Sequence, residues 1–205
     1  MPALGVLLLA AGCTKTPSSM NTAPFKTALD TYYQTHPSCA FAQPVKFPVE
    51  IAPDANPSPA EVERLEALTD AGLLTKTSRK VWSAAQGPSR VRVHLTVSDY
   101  DLSDQGKAAW TADPSGDGNF CYATPHVVSI DHYSPEPNNQ RYGVSYHFAI
   151  GTLPSWTENA KVKTAFPKIA ADAGAKTLTG LATLTQTATG WKASGVQSIT
   201  AAPVG

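Results

Sequence analysis

The sequence predicts an α+β chain in which a helix-bearing lobe over residues 25–112 is followed by a small antiparallel-sheet lobe with one helix over 120–200. Three observations carry that expectation. Apolar residues recur at helical spacing in 25–32 and again in 62–73, and alternation of period two takes over in 91–97, 142–150 and 178–186. Between them, Asp113-Pro114-Ser115-Gly116-Asp117-Gly118-Asn119 reads as a linker, residues 113–119. Helices and strands that are segregated along the chain, with no repeating strand-helix-strand unit, point to α+β architecture.

The first residues do not belong to that body. Leu4-Gly5-Val6-Leu7-Leu8-Leu9-Ala10-Ala11-Gly12 is apolar and ends in small residues directly before Cys13. Such a run is too short to span a bilayer, which takes roughly 20 residues, but has the length of a signal-peptide core. Small residues admit the backbone to a peptidase, and the thiol accepts a diacylglyceryl group. Residues 1–12 are therefore expected to be a lipoprotein signal peptide and Cys13 the lipidated residue. Residues 13–24, small, polar and broken by Pro17 and Pro24, are the expected flexible tether. Thr14 stands where an aspartate would favour retention at an inner membrane, so the expected location is the outer membrane, facing the periplasm.

Cysteine usage agrees with export. If lipid consumes Cys13, Cys39 and Cys121 remain, and an oxidising compartment would join them. Two buried free thiols are the alternative. The chain carries 16 basic and 16 acidic residues, a formal charge of zero. It therefore lacks the broad positive field that drives nucleic-acid binding. The expected partners are the membrane, through the lipid, and an envelope protein, with no nucleic acid.

In order along the body, Phe25, Ala28, Leu29 and Tyr32 make a helical stripe that His36-Pro37 ends. Residues 45–51 alternate as an edge strand around Pro48. Ser58-Pro59-Ala60-Glu61 opens a second helix with an N-cap residue, a proline in the first turn and a glutamate three residues on. Gly72 can end it in a left-handed conformation. Residues 91–97 read as a strand, Tyr100-Asp101-Leu102 as a short strand, and Ser103 as the cap of a further helix. Strands follow at 120–123, 126–133, 142–150 and 178–186, with a helical run after Pro154 and a turn at Thr189-Gly190.

Leu65-x-x-Leu68-x-x-x-Gly72-Leu73-Leu74, a hairpin, then Tyr100-x-Leu102-Ser103-x-x-Gly106 resembles the second half of a winged helix. That resemblance implies a winged-helix-like N-terminal lobe. Charges over 60–110 balance to zero, so the shape is expected to be used without DNA. Phe120-Cys121-Tyr122, Tyr142-Gly143-Val144-Ser145-Tyr146, Leu153-Pro154-Ser155-Trp156 and Thr189-Gly190-Trp191 look like a group of proteobacterial lipoproteins and periplasmic proteins of unassigned function. This second resemblance covers most of 25–195, Cys39 and Cys121 included, and implies a periplasmic fold and nothing about catalysis.

No phosphate loop, dinucleotide fingerprint, His-Glu-x-x-His or nucleophile elbow occurs. Of the histidines, His36 reads as a helix end and His94 and His147 as ordinary strand positions. Asp131 and His132 are strand neighbours that face opposite ways. No catalytic residue, metal ligand or cofactor is expected, and the role expected is binding or structural. The alternative is an envelope hydrolase or small-ligand protein, in which His126, His132 or His147 would meet an acidic group in a cleft. Trp82, Trp156, Trp191, Tyr142 and Tyr146 are the aromatics from which a recognition surface would be drawn.

Overall fold

A computed structural model describes residues 21–53, 56–83, 92–137, 140–174 and 177–199. The expected signal peptide, Cys13 and most of the tether lie outside the described residues. The chain is α+β with antiparallel sheets, as expected.

The helix-forming stretches end where their local chemistry ends them. The first helix, α1, runs Ala23–Thr35 and stops at His36-Pro37. After two short strands, β1 (Ser38–Cys39) and β2 (Val49–Ile51), α2 spans Pro59–Asp70 with its proline in the first turn. The capping box does not form. Ser58 makes no side-chain cap bond, and its carbonyl accepts from the amides of Glu61 and Val62 instead. Gly72 follows α2 at φ 79°, the left-handed position that glycine occupies without a Cβ penalty.

A long hairpin comes next, β3 (Leu74–Trp82) and β4 (His94–Leu102), in which the strand expected at 91–97 and the short one at 100–102 are continuous. Ser103 caps α3 (Asp104–Ala109) by accepting from the Gly106 amide at 2.8 Å, and its hydroxyl donates to the Gly72 carbonyl at 2.6 Å. A Cβ on Gly106 would lie 1.9 Å from the Leu73 carbonyl oxygen. The motif Ser103-x-x-Gly106 is thus the device that seats α3 on the end of α2.

The remaining elements are β5 (Trp110–Ala112), β6 (Gly118–Ala123), β7 (His126–Pro135) and β8 (Arg141–Ala149). A 3₁₀ turn (Ser155–Glu158), α4 (Ala160–Ala165) and α5 (Pro167–Gly174) lead to β9 (Leu178–Thr187) and β10 (Gly190–Ile199). Three antiparallel sheets result, ordered β10-β9-β8-β7, β2-β4-β3 and β1-β6-β5. Four meandering strands with helices in the β8–β9 connection match the sheet expected for the second lobe.

Two apolar cores hold these sheets, and they divide the chain differently from the expected 25–112 and 120–200. One core is α1 against the β7–β10 meander, built on Phe25, Leu29, Tyr33, Val144, Tyr146, Phe148 and Leu184. Tyr33 and Tyr146 hydroxyls meet inside it at 2.8 Å, and Asp30 accepts from the Val127 amide at 2.7 Å. The other core joins Leu65, Leu68, Leu73 and Tyr100 to Phe120, Tyr122, Trp156, Val162, Phe166 and Ile169. So α1 leaves the lobe assigned to it, and the helices of 155–174 join α2. Apolar periodicity says which face of a helix is buried but not against what.

The expected linker 113–119 is also different. It is the turn of the β5–β6 hairpin, where Asp113 accepts from the Ser115 amide at 2.8 Å, and it lies inside one core's territory.

Cys39 and Cys121 are disulfide-bonded, 82 positions apart in sequence. Closing a loop of that size stabilises the fold by about 4.5 kcal/mol in the chain-entropy model. The double variant Cys39→Ala, Cys121→Ala should lose about that much unfolding free energy in urea, and an unchanged midpoint would contradict the assignment.

Candidate functional site

In the alternative reading three histidines would mark a catalytic cleft; the structure sets them on one outward face of the β7–β8 pair, His126 opposite Ala149, His147 opposite Ser129 and His132 opposite Ser145. His126 and His132 lie exposed on β7. His147 on β8 places Nδ1 2.6 Å from Asp131 Oδ2, with side chains 43% and 33% exposed. The partner of Asp131 is therefore across the sheet, reached because β7 is irregular between Val127 and Ser129 and between Ile130 and His132. Ser129 donates to the same carboxylate at 2.9 Å, so the hydroxyl serves the acid and not the imidazole. That is the reverse of a nucleophile activated by a base. His36 stacks on Tyr32 at 4.0 Å at the end of α1, and His94 lies tilted against Trp82 at 3.7 Å.

The aromatics, by contrast, divide between core and surface. Trp156, Tyr142 and Tyr146 are buried, and Trp191 packs edge-on against Phe25 at 4.9 Å. Trp82, 60% exposed near the end of the β3–β4 hairpin, is the aromatic left at the surface.

The densest polar chemistry instead surrounds the disulfide, where β1, β6 and α5 meet. Asp172 on α5 is 5% exposed. Its Oδ2 accepts from the Tyr122 hydroxyl at 2.5 Å and from Lys168 Nζ at 2.6 Å. Lys168 also donates to the Tyr122 oxygen at 3.1 Å and to Ser38 Oγ at 3.2 Å. Three acceptors use all three hydrogens of the ammonium. Lys168 is thus a donor fixed beside Ser38 and not a base that could take its proton. Burial, and then the hydrogen bond to Asp172, push the Tyr122 phenol well above its usual value, so it too stays protonated.

This knot borders open space. A cavity of about 600 Å³ is lined by Tyr32, His36, Ser38, Cys39, Phe148 and Lys168. A trough of about 780 Å³ continues on the other side of Tyr32 and His36, between α1 and β10, with Thr27, Thr31, Trp191 and Lys192 in its walls. Both are in the size range of small-molecule sites, and neither is lined by His126, His132 or His147. Aromatic faces and hydroxyls line the junction. Among the described residues there is no group of three His, Cys, Asp or Glu that could take a metal ion.

Sequence reading missed Ser38, Tyr122, Lys168 and Asp172. A signal was present: Ser38 and Tyr122 flank the two cysteines, and Lys168 and Asp172 are four apart on one helix face.

Burial also raises the phenols of Tyr33, Tyr100 and Tyr146. An unfolded chain loses those protons near pH 10 while the folded chain keeps them, so the phenols cost nothing below that pH and destabilise the fold above it. Phenolate absorbance from these residues should therefore rise together with loss of tertiary circular dichroism, and Tyr122→Phe should make the alkaline loss less steep. Titration of every tyrosine near pH 10 with the fold intact would contradict the burial described.

The chain matches no protein-family model, no curated protein and no solved structure.

Proposed function

We propose that this chain is the body of an exported, lipid-anchored protein of the cell envelope, held at the outer membrane and facing the periplasm, whose work is binding and not catalysis. The observation that carries the reading is the pairing of Cys39 with Cys121. Disulfides persist in oxidising compartments, and this one leaves Cys13 as the third cysteine, at the end of the apolar run 4–12. Attachment through acyl chains fits a chain in which no described helix is long and apolar enough to cross a membrane.

Binding is favoured over catalysis by the chemistry of the junction. Its lysine is committed as a donor to three acceptors and its tyrosine is held protonated by burial beside a carboxylate, while the cavity next to them is open and lined with aromatic rings. The partner proposed is an envelope protein or a small ligand seated there. Nucleic acid is disfavoured even if α2 and the β3–β4 hairpin are read as winged-helix-like. Lys76 pairs with Glu66, and Arg79 pairs with Glu50 and Asp99, so two of the three basic side chains on β3 are neutralised and Lys80 alone is left to meet phosphates.

Radiolabelled palmitate should enter the protein in a Gram-negative host and be lost in Cys13→Ala, with the variant recovered in soluble periplasmic extract. Label retained by that variant, or a wild-type chain that stays in the cytoplasm, would overturn the reading.

A further inference from the structure

Phe41 follows β1, and its backbone is clamped from both sides by one buried side chain. Asn119 Oδ1 accepts from the Phe41 amide at 3.0 Å and Asn119 Nδ2 donates to the Phe41 carbonyl at 2.7 Å. The ring is held edge-on to Phe166 at 5.6 Å. Two clefts flank this fixed ring and share it as a wall. One, of about 300 Å³, has Val45, Phe47, Val49 and Leu65 as its apolar lining. The other, of about 270 Å³, is walled by Ala40, Ala165, Phe166, Pro167 and Ile169.

Arg64 on α2 is the second residue that lines both clefts. It is exposed, and no hydrogen bond or ion pair holds its guanidinium among the described residues, although Glu61 lies one turn away. The second cleft has no carboxylate in its lining, and its other cation, Lys168, is fully occupied by Asp172, Tyr122 and Ser38. Arg64 is thus a solvent-facing cation with no protein partner among the described residues, at the edge of two clefts of which the first also carries Ser58 and Glu61. A guanidinium presents paired N–H donors that match a carboxylate.

We infer that the second Phe41–Arg64 cleft, the one without a carboxylate, binds an amphipathic carboxylate, its head on the Arg64 guanidinium and its hydrocarbon body along Phe41, Phe166 and Ile169. Each cleft is near the lower end of the size of small-molecule sites, which favours a medium-length acyl chain over a large ring system. The inference does not depend on lipidation of Cys13, since the site is built entirely from residues of the folded body.

The test is calorimetric titration of the full chain carrying Cys13→Ala with decanoate, kept below its micelle-forming concentration, and separately with decanol. Decanoate should bind wild-type Arg64 about tenfold more tightly than Arg64→Ala, Arg64→Lys should fall between them, and decanol should not distinguish the variants. Because Arg64 is exposed and unpaired, Arg64→Ala should unfold at the same urea concentration as its parent. Absence of decanoate binding, or equal binding by parent and Arg64→Ala, would overturn the assignment and place any acyl binding elsewhere, such as the trough beside α1.

Discussion

The rest of the structure depends on a clasp. Cys39 lies just after α1 ends and Cys121 just before β7 begins, so their disulfide closes the base of everything between them. Seen from the α1–meander core, residues 36–125 are one long insertion whose two ends are bonded together. Lys168 and Asp172 then fasten a second insertion, the helices between β8 and β9, to the same point, because their partners Ser38 and Tyr122 adjoin the two cysteines. The two insertions pack on each other and make the other core. A covalent bond fixes the neck, and a buried hydrogen-bonded knot decides what docks on it.

That arrangement explains why Asp172 is tolerated in an apolar setting. A buried carboxylate is costly unless paired and hydrogen-bonded. Here Tyr122 and Lys168 both donate to it, and the lysine side chain stays 58% exposed. The same knot sets the character of the neighbouring cavity. Lys168 reaches the cavity wall with its hydrogens already committed to Asp172, Tyr122 and Ser38, and Tyr32, His36 and Phe148 supply ring faces beside it.

Much of the local structure was legible in the sequence because it rests on local chemistry. His36-Pro37 ends α1, Pro59 opens α2 and Gly72 closes it, Ser103 caps α3, and the alternation of 142–150 is β8. The disulfide was reached by elimination among three cysteines. What escaped is what depends on distant partners. The stripe Phe25, Ala28, Leu29 announces a buried helix face, yet nothing in it names the meander more than 100 residues away. The His147–Asp131 pair needed bulges in β7 that alternation does not reveal, and the Phe41–Arg64 cleft needed Asn119, whose clamp joins residues 78 apart.

The central claim is that α1 belongs to the β7–β10 meander and that residues 36–125 form an insertion between them. Residue-resolved amide exchange on Leu29→Ala tests it directly, since Leu29 is wholly buried in that core. The account predicts faster exchange in α1 and β7–β10, with α2 and the β3–β4 hairpin keeping their protection. Faster exchange in α2, β3 and β4 together with α1, while β7–β10 remain protected, would contradict it.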